Sequence, residues 1–218
     1  TVTDATGNNS ILVSGTAGND TFNAVLDATG TDLDVTDNGT TTTFVGIIAS
    51  GIDTLVINGE NGDDTLTVDS TNGTIALTQG IEFDGGNGAD ALTLTGGTAT
   101  ADTYSVGPDP GAGTSTIVIG GATQMVNFTN LEPVTDDVAG PLAVNATSAD
   151  NSINYSSAGG GSGLIEIDNF ESITFDNKTD VSINAGSGTD TITLAATTDG
   201  LSGDINVDGG DPSDGDTL

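Results

Sequence analysis

Residues 57–68 read INGENGDDTLTV and residues 83–94 read FDGGNGADALTL, and the two stretches align residue for residue at a spacing of 26. The pattern returns as INAGSGTDTITL from Ile183 and VDGGDPSDGDTL from Val207, 24 residues apart. In each copy a Gly-rich turn ending in Asp separates two short runs in which apolar residues alternate with polar ones. Alternation at period two marks a half-buried strand. The turn has its own local chemistry: Gly supplies positive φ, and Asp or Asn hydrogen-bonds nearby backbone. A repeat of about 25 residues suits one coil of a β-solenoid, two or three short strands plus turns, because every coil must turn the same corner.

Outward from these copies the strand rhythm continues. Leu66/Val68, Ile81/Phe83, Leu92/Leu94, Ile165/Ile167, Ile173/Phe175, Ile192/Leu194 and Ile205/Val207 are predicted to point inward, with the intervening threonines outward. Strong helix formers are scarce and Gly is abundant, at 33 residues, so no helix is expected. A second motif occurs as GTAGNDTFNA from Gly15, GTATADTYSV from Gly97 and ATSADNSINY from Ala146. It places Asp20, Asp102 and Asn151 two residues before Phe22, Tyr104 and Ile153. Residues 131–137, followed by Gly140-Pro141, interrupt the rhythm and read as a connection between a first block, 1–140, and a second, 141–218. The tract from Ala158 to Gly163 reads as a hairpin tip. Joined tail to head, Asp216-Thr217-Leu218 and Thr1-Val2-Thr3-Asp4 spell DTLTVTD, close to DTLTVDS at 64–70. The expectation is one period of a tandem array, or a subunit that docks head to tail, with the second block continuing into the next copy.

Composition narrows the function. There are 32 acidic residues and one basic residue, Lys178, for a formal net charge of −31. Nucleic acids and anionic membranes are bound through clustered Lys and Arg, which this chain lacks. With neither His nor Cys, there is no nucleophile–imidazole couple and no histidine-held zinc. Five glutamates remain, Glu60, Glu82, Glu132, Glu166 and Glu171, and no pair of them forms a recognisable acid–base motif. The chain therefore reads as not an enzyme. No apolar run approaches the ~18 residues that span a bilayer, and the start shows neither a basic nor an apolar leader, as in a mature product or an excised segment. Lys178 itself reads as an incidental loop charge.

The turn Gly85-Gly86-Asn87-Gly88-Ala89-Asp90-Ala91-Leu92-Thr93 resembles the calcium-binding nonapeptide of RTX (hemolysin-type) repeats, G-G-x-G-x-D-x-U-x. Residues 59–67 match it apart from Glu60, 185–193 apart from Ala185, and 15–23 apart from Thr16. The resemblance implies Ca²⁺ held by oxygen ligands, with Asp64, Asp90 and Asp190 as ligands, Asp20 next, and Asp63, Asp84 and Asp208 as nearby carboxylates completing a shell. RTX turns follow one another every nine residues, whereas these are single copies, so a tight RTX roll is not implied. The texture is also similar to giant Asp/Gly/Thr-rich repeat proteins of bacterial cell surfaces.

The resulting expectation is an all-β chain, a right-handed parallel β-solenoid with hairpin excursions, or alternatively tandem acidic β-sandwich modules. Its expected role is an extracellular structural module of a surface layer, sheath, filament or adhesin stalk, stiffened by calcium. The alternative is an adhesin module that binds carbohydrate or another surface. Partners are expected to be further copies of the chain, with surface glycans as a further partner, and neither nucleic acid nor an inserted membrane.

Overall fold

The computed structural model describes residues 9–49, 51–195, 197, 199–210 and 215–218. The head residues Thr1–Asp4 and the stretch 211–214 of the fourth Gly/Asp turn lie outside them. The described chain is all-β apart from a single 3-10 turn at Ile47–Ala49, and it forms two large mixed sheets.

The strands divide between the sheets in a regular way. Sheet one receives β1 (Ser10–Ser14), β5 (Thr54–Asn58), β7 (Gly80–Asp84), β9 (Ala101–Val106), β10 (Gly113–Ile119), β11 (Ala122–Thr129), β13 (Gly140–Asn145), β17 (Lys178–Asn184) and β19 (Ile205–Asp208). Sheet two receives β2 (Thr21–Leu26), β3 (Leu33–Asp37), β4 (Thr40–Phe44), β6 (Thr65–Asp69), β8 (Ala91–Thr95), β12 (Val134–Asp136), β14 (Ser152–Gly159), β15 (Ser162–Ile167), β16 (Ile173–Phe175) and β18 (Thr191–Leu194). The spatial order in sheet one is β1-β5-β7-β11-β10-β9-β13-β17-β19, and in sheet two β18-β14-β15-β16-β12-β8-β6-β2-β3-β4.

Parallel ladders dominate both sheets. In sheet two, β2, β6, β8, β12 and β16 run parallel, with Phe22, Leu66, Leu92, Val134 and Ile173 in one continuous register column. In sheet one, Val13, Ile57, Phe83 and Phe128 align across β1, β5, β7 and β11. Three antiparallel meanders interrupt this order: β2-β3-β4, β9-β10-β11 and β14-β15-β16. The Ala158–Gly163 tract forms the tip between β14 and β15.

The alternation read from the sequence places the core. Leu66, Val68, Ile81, Phe83, Leu92, Leu94, Ile165, Ile167, Ile173, Phe175 and Ile192 are all buried. Tyr104 stacks on Phe128 at 6.0 Å between centroids and Tyr155 on Phe175 at 6.1 Å, and their hydroxyls donate to the carbonyls of Glu171 and Asp199. A buried aromatic of this kind contributes about 1.5–3 kcal/mol by apolar burial alone. Leu194 departs from its expected inward place and is 36% exposed, while Ile205 and Val207 are half-buried at the sheet edge. Residues 131–137, read as a connection, contain β12, and Leu131 and Val134 are fully buried. Both sheets continue across residue 140.

Lys178 is not an incidental loop charge. It opens β17 with its side chain 0% exposed, held by Asp102 and Asp136. A lone ammonium leaves water only where carboxylates meet it, and two do so here.

Candidate functional site: the carboxylate ladder of the Gly/Asp turns

Five turns of the two repeated motifs carry the chain from a strand of sheet one to a strand of sheet two, 15–20, 59–64, 85–90, 146–151 and 185–190, while residues 130–133 make the same passage from β11 to β12 without a motif. A sixth starts from β19 and returns at Thr217, which bridges Thr191 of β18. Because the strands on either side are stacked in parallel, the turns stack as well, and the same turn position recurs as a column.

The last residue of each turn builds an inner column. The Asp20 N–H donates to Asp64 Oδ1 at 2.6 Å, and the Asp64 N–H donates to Asp90 Oδ1 at 2.7 Å. Further along, the Asn151 N–H donates to Asp190 Oδ1 at 2.8 Å, and the Asp190 N–H to Asp216 Oδ1 at 3.0 Å. Each side chain thereby satisfies a backbone donor one turn away, a need that turn backbone cannot meet within itself. The preceding residue builds an outer column running the opposite way. The Asp63 N–H donates to Asn19 Oδ1, the Ala89 N–H to Asp63 Oδ1 and the Thr189 N–H to Asp150 Oδ1, at 3.0, 3.1 and 2.8 Å.

The Gly positions of the motif follow from this stacking. At Gly59 a Cβ would lie 2.4 Å from both Asp64 Oδ2 and the Gly85 carbonyl oxygen. At Gly88, with φ +146°, a Cβ would lie 1.7 Å from the Gly62 carbonyl oxygen, so neither conformation nor space admits another residue.

The turns fall into two electrostatic classes, set by their second residue. Thr16 donates its N–H to Asp20 Oδ2 at 2.6 Å, and Thr147 donates to Asn151 Oδ1 at 3.2 Å. Glu60, Gly86 and Gly186 instead take positive φ, at +77°, +95° and +96°. The Glu60 N–H consequently turns outward to Asn58 Oδ1. In these three turns the second oxygen, Oδ2 of Asp64, Asp90 or Asp190, is buried without a hydrogen-bond partner. The pKa directions follow: the Thr16 backbone donor holds the Asp20 carboxyl below its usual range, while burial pushes Asp64 and Asp90 up.

The seven carboxylates read as calcium ligands are therefore distributed, not converged. Asp20, Asp64 and Asp90 share the inner column, Asp190 lies in its second segment, and Asp63 lies in the outer column. Asp84 ends β7, exposed, and accepts from Asn130 Nδ2; Asp208 ends β19, exposed, and accepts from the Gly210 N–H. Calcium takes six to eight oxygens. Among the described residues no three acidic side chains gather to hold an ion, and the inner carboxylates already spend one oxygen on backbone.

One member of the column is not legible as such, and one residue that shares the column's motif lies outside it. Asp216 belongs to the last turn, but two extra residues separate it from Gly209 relative to the other copies, which drew attention to Asp208 instead. Asp102 has the motif of Asp20 but enters sheet one at the opposite corner, away from the ladder.

No family model, curated protein or solved structure matches the chain.

Proposed function

We propose that this chain is an extracellular structural module, a β-solenoid with hairpin excursions, that builds a stiff segment of a surface layer, sheath, filament or adhesin stalk and carries out no catalysis. The observation that carries this reading is the ladder, in which one turn design recurs at one corner and, within each of two segments, each copy fastens the next through a side chain–backbone hydrogen bond. A construction of this kind adds stability coil by coil, because each coil contacts its neighbours.

The charge fits the same role. A net charge of −31 keeps the exposed faces mutually repulsive and solvated, and the carboxylates withdrawn from that surface are the ones that hold the corners. Calcium, suggested by the nonapeptide resemblance, enters this reading at the solvent face, where Asp63, Asp84 and Asp208 stand, as a counter-ion that screens repulsion between coils. Self-association is read from the sheet ends. Among the described residues sheet one ends at β1, where Leu12 is 65% exposed, and at β19. An unpaired edge strand is a template for another chain, which makes the head-to-tail contact of successive copies the natural use of both ends. A carbohydrate-binding face is weakly supported, since every Phe and Tyr is buried or half-buried, and such sites expose aromatics.

Small-angle scattering and melting, each in calcium and in EDTA, test the proposal. Elongated particles that lengthen with concentration support the module. A compact monomer at all concentrations argues against it. A melting temperature raised by calcium supports the ion at the solvent face, and elongated particles with equal melting in both buffers leave the module standing on its ladder alone.

A further inference from the structure

At the corner opposite the ladder, three successive passages from sheet two to sheet one bring together the chain's single lysine and two aspartates. Asp102 lies on β9, Asp136 ends β12, and Lys178 opens β17. Asp102 has the inward parity of Tyr104, and Asp136 occupies the core column between Leu94 and Phe175. All three are at least 97% buried. Lys178 Nζ donates to Asp102 Oδ2 at 2.9 Å, to Asp136 Oδ1 at 2.7 Å and to the Val138 carbonyl at 2.6 Å. The other oxygens, Asp102 Oδ1 and Asp136 Oδ2, are buried with no partner.

We propose that this cluster is a self-modification site at which Lys178 Nζ condenses with the Asp102 side chain to form an intramolecular amide, with Asp136 as the proton acceptor.

The two aspartates are not equivalent. Asp136 Oδ1 also accepts the Val138 N–H at 3.0 Å, so this carboxylate takes two donors and is the better placed of the two to stay an acceptor. Asp102 accepts a hydrogen bond from Lys178 alone, and burial followed by the Asp136 charge pushes its carboxyl up to about 8. With Asp102 protonated, Asp136 ionised and Lys178 charged, the cluster is neutral overall, which is the arrangement a dry site favours. Asp102 is then the electrophile, a neutral carboxylic acid, and Asp136 the base.

The step balances. Lys178 passes a proton to Asp136, and the free amine attacks Asp102 Cγ. The Nζ–Cγ bond forms, the Cγ–O bond to the hydroxyl breaks, and one water leaves carrying the second amine proton. The products are the amide, one water and a protonated Asp136, with no oxidant or co-reactant. Hydrogen-bonded reactants held in a fixed, dry cluster supply the proximity that makes such a step effective. The bond would tie β9 to β17 across the intervening β13, joining residues 76 positions apart in the sequence. The inference rests on this cluster alone and does not depend on the solenoid or surface reading.

Because Lys178 is the chain's one Lys or Arg, trypsin has a single target. The folded full chain is incubated, then unfolded in denaturant, weighed intact and digested. The expected result is a mass one water below the sequence value, no tryptic cleavage after Lys178, and, from a separate chymotryptic digest, a branched peptide joining the segments around Asp102 and Lys178. Asp102→Ala and Asp136→Ala chains are expected at full mass and to be cut into two fragments. A wild-type chain at full sequence mass that trypsin cuts once unfolded overturns the proposal, as does a water loss that maps to any other pair. The wild-type mass alone decides the matter if the variants fail to fold.

Discussion

The backbone N–H of Asp64 donates to the carboxylate of Asp90, 26 residues later, at 2.7 Å. One bond of this kind is modest, about 0.5–1.5 kcal/mol net, with more for a charged acceptor. Its loss leaves a buried N–H unmet. Asp90→Ala is therefore expected to lower stability by about 2–3 kcal/mol in chemical denaturation. Asp90→Asn keeps the Oδ1 acceptor and removes a charge that burial disfavours, so it should match or exceed the wild-type midpoint. Equal losses for both variants would show that the charge, not the hydrogen bond, holds the corner.

Turn stacking makes a second forecast at two glycines that both take positive φ. Gly39 has φ +81° and open space around it, whereas at Gly88 a Cβ would meet the Gly62 carbonyl at 1.7 Å. Gly39→Ala should cost about 1 kcal/mol, the left-handed penalty alone. Gly88→Ala should cost more than about 3 kcal/mol, because the neighbouring turn has to move as well. Thermal melts of the two variants read the difference directly.

Stability should fall as pH rises through neutrality. Burial, then the nearby Glu132 charge, pushes Glu171 from 4.5 up to about 7, and burial raises Asp64 and Asp90. A carboxyl whose pKa rises on folding binds its proton more tightly when folded. Its contribution is complete below the unfolded pKa and is lost as pH climbs through the folded one. Asp20, whose carboxyl is lowered, acts the opposite way and loses its contribution as pH falls through the acid range. The melting temperature is expected to be higher near pH 5 than near pH 8. Glu171→Gln should flatten the slope and stabilise the chain at pH 8 by about 1–2 kcal/mol, allowing for the screening of a partly solvated group. A wild-type profile that rises steadily from pH 5 to 8 contradicts this account.

Calcium should act broadly and not at one high-affinity turn. Asp63→Asn and Asp84→Asn are expected to reduce any calcium-induced rise in melting temperature in small, additive steps, and sodium chloride at high concentration should reproduce part of it. A single substitution that abolishes the response would instead mark a discrete site, and calorimetric titration would then give a stoichiometry near one.

Much of this was open to a reading of local sequence. Alternation at Leu66/Val68, Leu92/Leu94 and Ile173/Phe175 assigned inward faces, because a strand's side-chain period is two whatever it pairs with. The recurring Gly/Asp turns announced a repeated corner, because positive φ and side chain–backbone bonding are local demands. Leu194 is exposed despite its alternation because burial at the sheet edge depends on what lies beyond it, which alternation does not report. The aspartates were legible as special, but their partners were not. The donor to Asp90 Oδ1 lies 26 residues away, and the stacking order of the strands selects it.

The contrast is sharpest between Asp20 and Asp102, which share one motif. Sequence by itself determined the all-β class, the turn chemistry and the acidic character of the chain, since each follows from residue types and short-range spacing. Tertiary structure alone decided that Asp20 joins a ladder at one corner while Asp102 is buried with Asp136 and Lys178 at the other. The physical reason is that partners 42 and 76 residues from Lys178 meet it only once three passages between the sheets are stacked, and no local preference of the chain encodes which passages those are.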